Sequence, residues 1–305
     1  YYQIKNIPSG TYKIVVSSLG YETKTIEITF NKNEKIIKHF SLVSDNSLDE
    51  IVVSGNLRPV SKSASSVPVD VYSKSFLKKN PTPSIFESLQ NINGVRPQLN
   101  CNVCNTGDIH INGLEGPYTF VLIDGMPIVS GLSTVYGLTG IPQALIQRIE
   151  VVKGPASTLY GSEAVGGIIN IITKKPSNSP MLFVDSFSSS WGEVNTDIGF
   201  KYNASKKIQG LLGINYFNFQ NIIDNNNDNF TDLTLQNRIS IFNKLNIERS
   251  NNKLFTVAFR YVYEDRWGGE TNWNKNFRGT DLVYGESIYT SRWETFGTYE
   301  LPTTE

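Results

Sequence analysis

From residue 181 onward the chain alternates polar and apolar residues over long stretches, as in Asp197-Ile198-Gly199-Phe200-Lys201-Tyr202 and Phe255-Thr256-Val257-Ala258-Phe259-Arg260-Tyr261-Val262-Tyr263. Alternating segments of roughly ten residues suit strands with lipid on one face and a polar lumen on the other. A soluble sandwich alternates as well, so the pattern alone leaves both architectures open. The connections favour the first: 191–193, 204–206 and 251–253 are short, whereas 220–233 and 266–287 are long. Transmembrane barrels join their strands by short turns at one end and longer loops at the other. Residues 177–305 are therefore expected to form the N-terminal part of a transmembrane antiparallel β-barrel.

Between 67 and 176 the texture changes to short β-branched runs, helical pieces and Gly-rich turns, an α+β pattern. Ser84-Ile85-Phe86-Glu87 has the form of a capping box, with Leu89 and Ile92 continuing an apolar stripe and Gly94 placed to stop it, so a helix is expected over 84–92. Residues 109–112, 119–123, 148–153 and 168–173 read as strands, and 141–147 as a helix entered at Pro142. Upstream, 13–17, 23–30 and 36–42 read as strands of a β-sandwich fragment filling 1–43. Residues 44–66 are polar around one apolar island, Ile51-Val52-Val53, and read as an extended linker.

Charge adds little, because 28 Lys+Arg balance 28 Asp+Glu, and nothing points to nucleic acid or another polyanion. No run of about 18 apolar residues occurs, which excludes a helical membrane span. With two His and no paired nucleophile and base, an enzyme is not expected.

Three segments carry a family resemblance. They are Leu122-Ile123-Asp124-Gly125-Met126-Pro127, then Ile146-Gln147-Arg148-Ile149-Glu150-Val151-Val152-Lys153-Gly154-Pro155, then the run from Leu159-Tyr160-Gly161-Ser162 to Ile168-Ile169-Asn170-Ile171-Ile172-Thr173. In this order and spacing they resemble the plug domain of TonB-dependent outer-membrane receptors over roughly 67–175. The fragment at 1–43 resembles the end of a carboxypeptidase-regulatory-like domain. The resemblance implies a plug seated in a barrel in the outer membrane of a Gram-negative bacterium, with outer-membrane lipid around it and the energy-coupling protein TonB as partner.

It also implies roles for particular residues. Glu50, Ile51, Val52, Val53, Ser54 and Gly55 resemble a TonB box, an unpaired β-prone segment able to add itself to a partner's sheet edge. It is expected to lie extended, without partners in its own chain. Two Arg that the family sets against barrel carboxylates correspond here to Asn112 and Lys153. Asn cannot form a bidentate charge-assisted pair, so the plug-to-wall latch is altered.

The apical plug loops implied to touch ligand fall near 98–107, 114–117 and 129–140, and bring forward Cys101, Cys104, Tyr118 and Tyr136. Cys101 and Cys104 suit a loop-stiffening disulfide in an oxidising compartment; a thiolate metal site with His110 is the alternative and lacks a fourth ligand. Asp224, Asn226, Asp228 and Asp232 stand at Ca2+-loop spacings, but Leu235 occupies the position of the closing Glu, which favours a solvated Asn-rich loop. The expected function is import of a scarce ligand. The form of the plug motifs favours a metal chelate, namely a ferric siderophore, haem or cobalamin, over a glycan or peptide; a surface adhesion protein that has kept a plug is the rival from another class.

Overall fold

The computed structural model describes residues 4, 7–16, 24–31, 35–41, 51–54, 60–101, 106–128, 138–249 and 253–301. The chain divides into two units, Tyr1–Glu50 and Ile51–Glu305.

In the first unit β1 (Gly10–Val16) pairs antiparallel with β2 (Lys24–Phe30). The cross-strand contacts are those such a pair uses: the Thr11 and Thr29 hydroxyls lie 3.0 Å apart, and the Tyr12 and Phe30 rings meet edge to face with centroids 5.9 Å apart. The strand expected over 36–42 does not form across the described residues 35–41. Ile37 is 71% exposed there, so no burial holds this segment against the sheet.

The second unit begins with two short strands, β3 (Ile51–Val52) and β4 (Val60–Ser61), paired antiparallel. The plug follows: β5 (Asp70–Ser73), α1 (Lys74–Leu77), α2 (Ile85–Ser88), β6 (Val95–Cys101), β7 (Thr106–Ile111), β8 (Thr119–Ile123), β9 (Met126–Pro127), β10 (Ile146–Lys153) and β11 (Gly167–Thr173). Strands β6 and β7 make a hairpin, and the others form one sheet in the order β5-β10-β11-β8-β9, with β11 and β8 parallel. Strand β11 reads Gly-Ile-Ile-Asn-Ile-Ile-Thr with every residue buried. A strand covered on both faces needs such a near-continuous apolar run.

Local chemistry sets the ends of these elements. The Ser84 hydroxyl accepts from the Glu87 amide at 3.3 Å and caps α2, which passes into one 3-10 turn, Leu89–Asn91, before Gly94 at φ +77° stops it. The helix expected over 141–147 is only a 3-10 turn, Gln143–Leu145. Ile146, Ile149, Val151 and Val152 are fully or almost fully buried in a strand instead, where β-branched chains pack well. Asp124 and Gly125, at φ +51° and +81°, form the two-residue turn between β8 and β9. Paired left-handed residues match the twist of a tight hairpin.

Strands β12 (Leu182–Ser188), β13 (Val194–Ser205), β14 (Ile208–Phe219), β15 (Leu235–Glu248), β16 (Leu254–Gly269) and β17 (Gly285–Tyr299) form one antiparallel sheet in sequence order. Its register aligns two adjacent rows across all six strands. Val184, Ile198, Ile214, Ile241, Tyr261 and Trp293 share one row; Asp185, Asp197, Asn215, Ser240, Val262 and Arg292 share the next. Val184, Ile198, Ile241 and Trp293 of the apolar row are exposed, whereas Asp197, Asn215 and Ser240 of the polar row are buried. The usual arrangement of a soluble sheet is thus inverted.

Plug and wall share one apolar core, in which Leu211, Phe242 and Ala258 of the wall join Leu145, Ile149 and Ile171 of the plug. Gly213 permits this approach: a Cβ there would lie 2.5 Å from Leu145 Cδ1.

Candidate functional site

The apolar island of the linker is docked on the plug. Val52 is fully buried with Val69, Leu122, Val152 and Ile168 around it, a burial that stabilises by about 1.5–3 kcal/mol for a side chain of this kind. Beyond it, Glu150 Oε2 accepts from the Val53 amide at 2.9 Å, the Ser54 amide at 2.9 Å and the Ser54 hydroxyl at 2.7 Å. Arg148 orients the carboxylate from the other side, donating to Oε1 from Nε at 3.0 Å and Nη2 at 2.7 Å. Asn170 Nδ2 donates to the Ser54 hydroxyl oxygen at 3.1 Å.

The expectation of a box without intrachain ladder partners is therefore corrected. Ile51 and Val52 pair with Ser61 and Val60, and Val53 and Ser54 are held by a buried carboxylate. The cause is physical: a β-prone apolar segment beside a hydrophobic plug gains more from burial than from solvation. Glu50 and Gly55 lie outside the described residues.

Among the described residues, the polar contacts of Asn112 and Lys153 lie within the plug. Asn112, at φ +51°, starts a tight turn with Gly113 and donates its amide to Gly94 O at 2.9 Å. Asn tolerates that left-handed position better than Arg would. Lys153 pairs with Asp70 at 2.8 Å and donates to the Tyr72 hydroxyl at 3.3 Å, both within the plug.

The buried plug-to-wall ion pair is instead Lys244 of β15 with Asp124 of the β8–β9 turn. Its Nζ donates to Asp124 Oδ2 and to Thr173 Oγ1, each at 2.8 Å. Asp124 also accepts from the Thr173 amide at 2.8 Å and from its hydroxyl at 2.6 Å, so the charge is fully satisfied. Further contacts link plug and wall: Asp185 pairs with Lys74, at 3.6 Å, and with Lys78, and the Arg238 guanidinium donates to the Pro83 carbonyl.

Glu87 and Lys174 are among the plug groups that titrate away from their usual ranges. Burial pushes the Glu87 carboxyl up to about 7, against the opposing pull of Arg238 and the Ser84 hydroxyl. Burial, with Lys74 beside it, brings the Lys174 ammonium down to about 8, and that ammonium sits 4.1 Å from the centre of the Phe183 ring.

Of the residues expected to face ligand, Cys101 ends β6 and is disulfide-bonded. The other cysteine of the sequence, Cys104, lies outside the described residues, as does Tyr136. Tyr118 is 46% exposed at the end of the 3-10 turn Gly116–Tyr118. His110 is half-buried in β7 opposite Arg96.

The Asn-rich loop turns its carboxylates on its own backbone. Asp224 accepts from the amides of Asp228 and Asn229, Asp228 from the side-chain amide of Asn226 and the amide of Phe230, and Asp232 from Asn225. Among the described residues no three His, Cys, Asp or Glu side chains converge in a metal-binding group.

Sequence reasoning missed Glu150, Asn170 and Lys244 as site residues. Only Asn170 had a signal, a polar residue within an otherwise apolar strand run; Glu150 and Lys244 stand among other polar residues of their strands.

Compared with family models, residues 61–168 match the TonB-dependent receptor plug domain and residues 1–53 the CarboxypepD_reg-like domain. Residues 61–168 are thus a TonB-dependent receptor plug domain. The plug and partial barrel of the chain resemble solved structures of such receptors. The pyoverdine outer membrane receptor FpvA of Pseudomonas aeruginosa, bound to pyoverdine, matches at 15% identity and TM-score 0.58, over 72% of this chain and 31% of that one. A mutant of the ferric enterobactin receptor PfeA of Pseudomonas aeruginosa, in complex with enterobactin, matches at 20% and 0.55, over 77% and 39%. The siderophore receptor PiuA of Acinetobacter baumannii matches at 17% and 0.56, over 72% and 29%. The chain thus spans about a third of the length of the receptors it resembles. At these identities the likeness is one of fold: an α+β plug with the N-terminal strands of its barrel.

Proposed function

We propose that this chain belongs to an importer of the Gram-negative outer membrane, one that takes up a metal chelate and is energised by TonB. The observation that carries the reading is the pair of rows in the β12–β17 sheet, apolar and exposed on one face, polar and buried against the plug on the other. Such a wall is suited to lipid outside and a filled lumen inside. Among the described residues no helix is long and apolar enough to cross a membrane, so strands would do the crossing.

Residues 50–55 are read as the TonB box. Their main-chain groups are the feature a partner strand would take up, once the segment leaves Glu150. For cargo, the receptors of similar fold are described as siderophore, pyoverdine and ferric enterobactin receptors, which supports a ferric siderophore first. Cys101 at the end of β6, with Cys104, Tyr118 and Tyr136, is proposed to contact the ligand. Aromatic faces carrying hydroxyls suit a bulky, partly apolar chelate.

The test is equilibrium binding and uptake by the complete receptor with a panel of ferric siderophores, haem, cobalamin and oligosaccharides. Binding to a chelate with TonB-dependent uptake is expected. Tight binding to an oligosaccharide alone would overturn the cargo assignment.

A further inference from the structure

We propose that Asn170 couples the energy-coupling segment to the plug-to-wall ion pair, so that withdrawal of Ser54 loosens the Asp124-Gly125 turn from Lys244. The inference rests on reading residues 50–55 as that segment. The hydrogen-bonded path is continuous. Asn170 Nδ2 donates to Ser54 Oγ at 3.1 Å, and Asn170 Oδ1 accepts from the Gly125 amide at 3.0 Å. Gly125 shares its turn with Asp124, and Asp124 is the residue Lys244 holds from the wall at 2.8 Å.

Three features make this arrangement more than proximity. Asn170 is fully buried, the one amide side chain in β11 among five apolar or glycine neighbours and a terminal Thr. A polar group in that place is costly unless satisfied at both ends. A side-chain amide offers a donor to the segment and an acceptor to the turn at once. Its orientation is also fixed, since the Gly125 N–H facing it can only donate and must meet the oxygen. When Ser54 leaves, Asn170 Nδ2 loses its partner inside an apolar layer. Regaining one requires the amide to turn or water to enter, and either change disturbs the bond to Gly125.

The turn itself passes the change on. Both its residues sit in the left-handed region, which leaves few alternative conformations for a non-glycine such as Asp124. It therefore shifts as a unit, and the Asp124 carboxylate shifts with it relative to Lys244 Nζ.

The experiment is amide hydrogen exchange on the complete receptor in detergent micelles, comparing the parent with Ser54→Ala, Asn170→Leu and the double variant. Unchanged protection of Ile149 and Ile171 in β10 and β11 serves as the check on folding; a second replacement, Asn170→Asp, keeps the acceptor for Gly125 if the leucine variant does not fold. Ser54→Ala is expected to speed exchange at Gly125 and Thr173 by about tenfold, within the range that coupled neighbours show. That acceleration is expected to disappear once Asn170 is replaced. No acceleration at Gly125 and Thr173 in Ser54→Ala, or the same acceleration with Asn170 replaced, would overturn the proposal. A separate pull-down with the periplasmic domain of TonB and an Ile51→Pro variant tests the segment itself, so failure of that reading is seen apart from failure of the coupling.

Discussion

The Ser54 hydroxyl donates to Glu150 Oε2 at 2.7 Å, and both residues are fully buried although 96 positions separate them in sequence. One carboxylate oxygen accepts from two main-chain amides and a hydroxyl at the same time. The segment proposed to meet TonB is in this way held through its own backbone, and its release is an equilibrium set by a few hydrogen bonds to a charge.

Replacing Glu150 with Gln keeps the shape and removes the charge. Hydrogen bonds to charged groups contribute about 1.5–3 kcal/mol, so the equilibrium constant for docking of the segment is expected to fall by one to two orders of magnitude. Proteolysis between β3 and β4 should quicken, and the Val53 and Ser54 amides should exchange faster. Identical cleavage rates in parent and variant would remove Glu150 as the anchor.

Lys244→Met is expected to cost about 3–5 kcal/mol, since it strands the Asp124 carboxylate beside an apolar wall. Asp124→Asn in the same chain should recover part of that loss. Thermal unfolding of the four species of this cycle gives the coupling energy directly; a coupling near zero would mean the pair does not tie plug to wall.

Seating of the plug should weaken as pH rises. The Glu87 carboxyl is raised from 4.5 to about 7 by burial, so its contribution is fully present below about 4.5 and is lost as pH climbs through 7. The slope cannot exceed about 1.4 kcal/mol per pH unit for one proton. Comparing plug stability at pH 5 and pH 8 in the parent and in Glu87→Gln checks this: the variant should show a flatter profile, and parallel profiles would refute it.

Thiol titration of the folded, unreduced receptor should find no free thiol, because Cys101 is disulfide-bonded. Reduction should then speed proteolytic cleavage between Cys101 and Thr106. A full complement of reactive thiols before reduction would contradict the disulfide.

The fold was legible where sequence signals are local. Ser84 with Glu87 announced a helix start, and the alternation after residue 181 a sheet whose faces differ. The site was legible only in part. Residues 50–55 stood out as an apolar island, but nothing near Ser54 in sequence indicates Glu150 as its partner, and nothing near Asp124 indicates Lys244. Long-range polar pairs leave little trace in the sequence, since Glu150 and Lys244 stand among other polar residues of their strands. The helix expected over 141–147 failed for a related reason: Pro142 is a local start signal, while the pairing of β10 with β11 that draws Ile146 into a strand is a distant one.

The two rows of the β12–β17 sheet carry a consequence for assembly. Side chains alternate with a period of two, so a slip of one residue in any strand pairing exchanges that strand's faces. Such a slip would turn Asp197 or Asn215 toward hydrocarbon and Ile198 or Ile214 toward the plug. In the proposed membrane setting, lipid and plug thus inspect the same register from opposite sides, and a strand paired out of step is rejected by both.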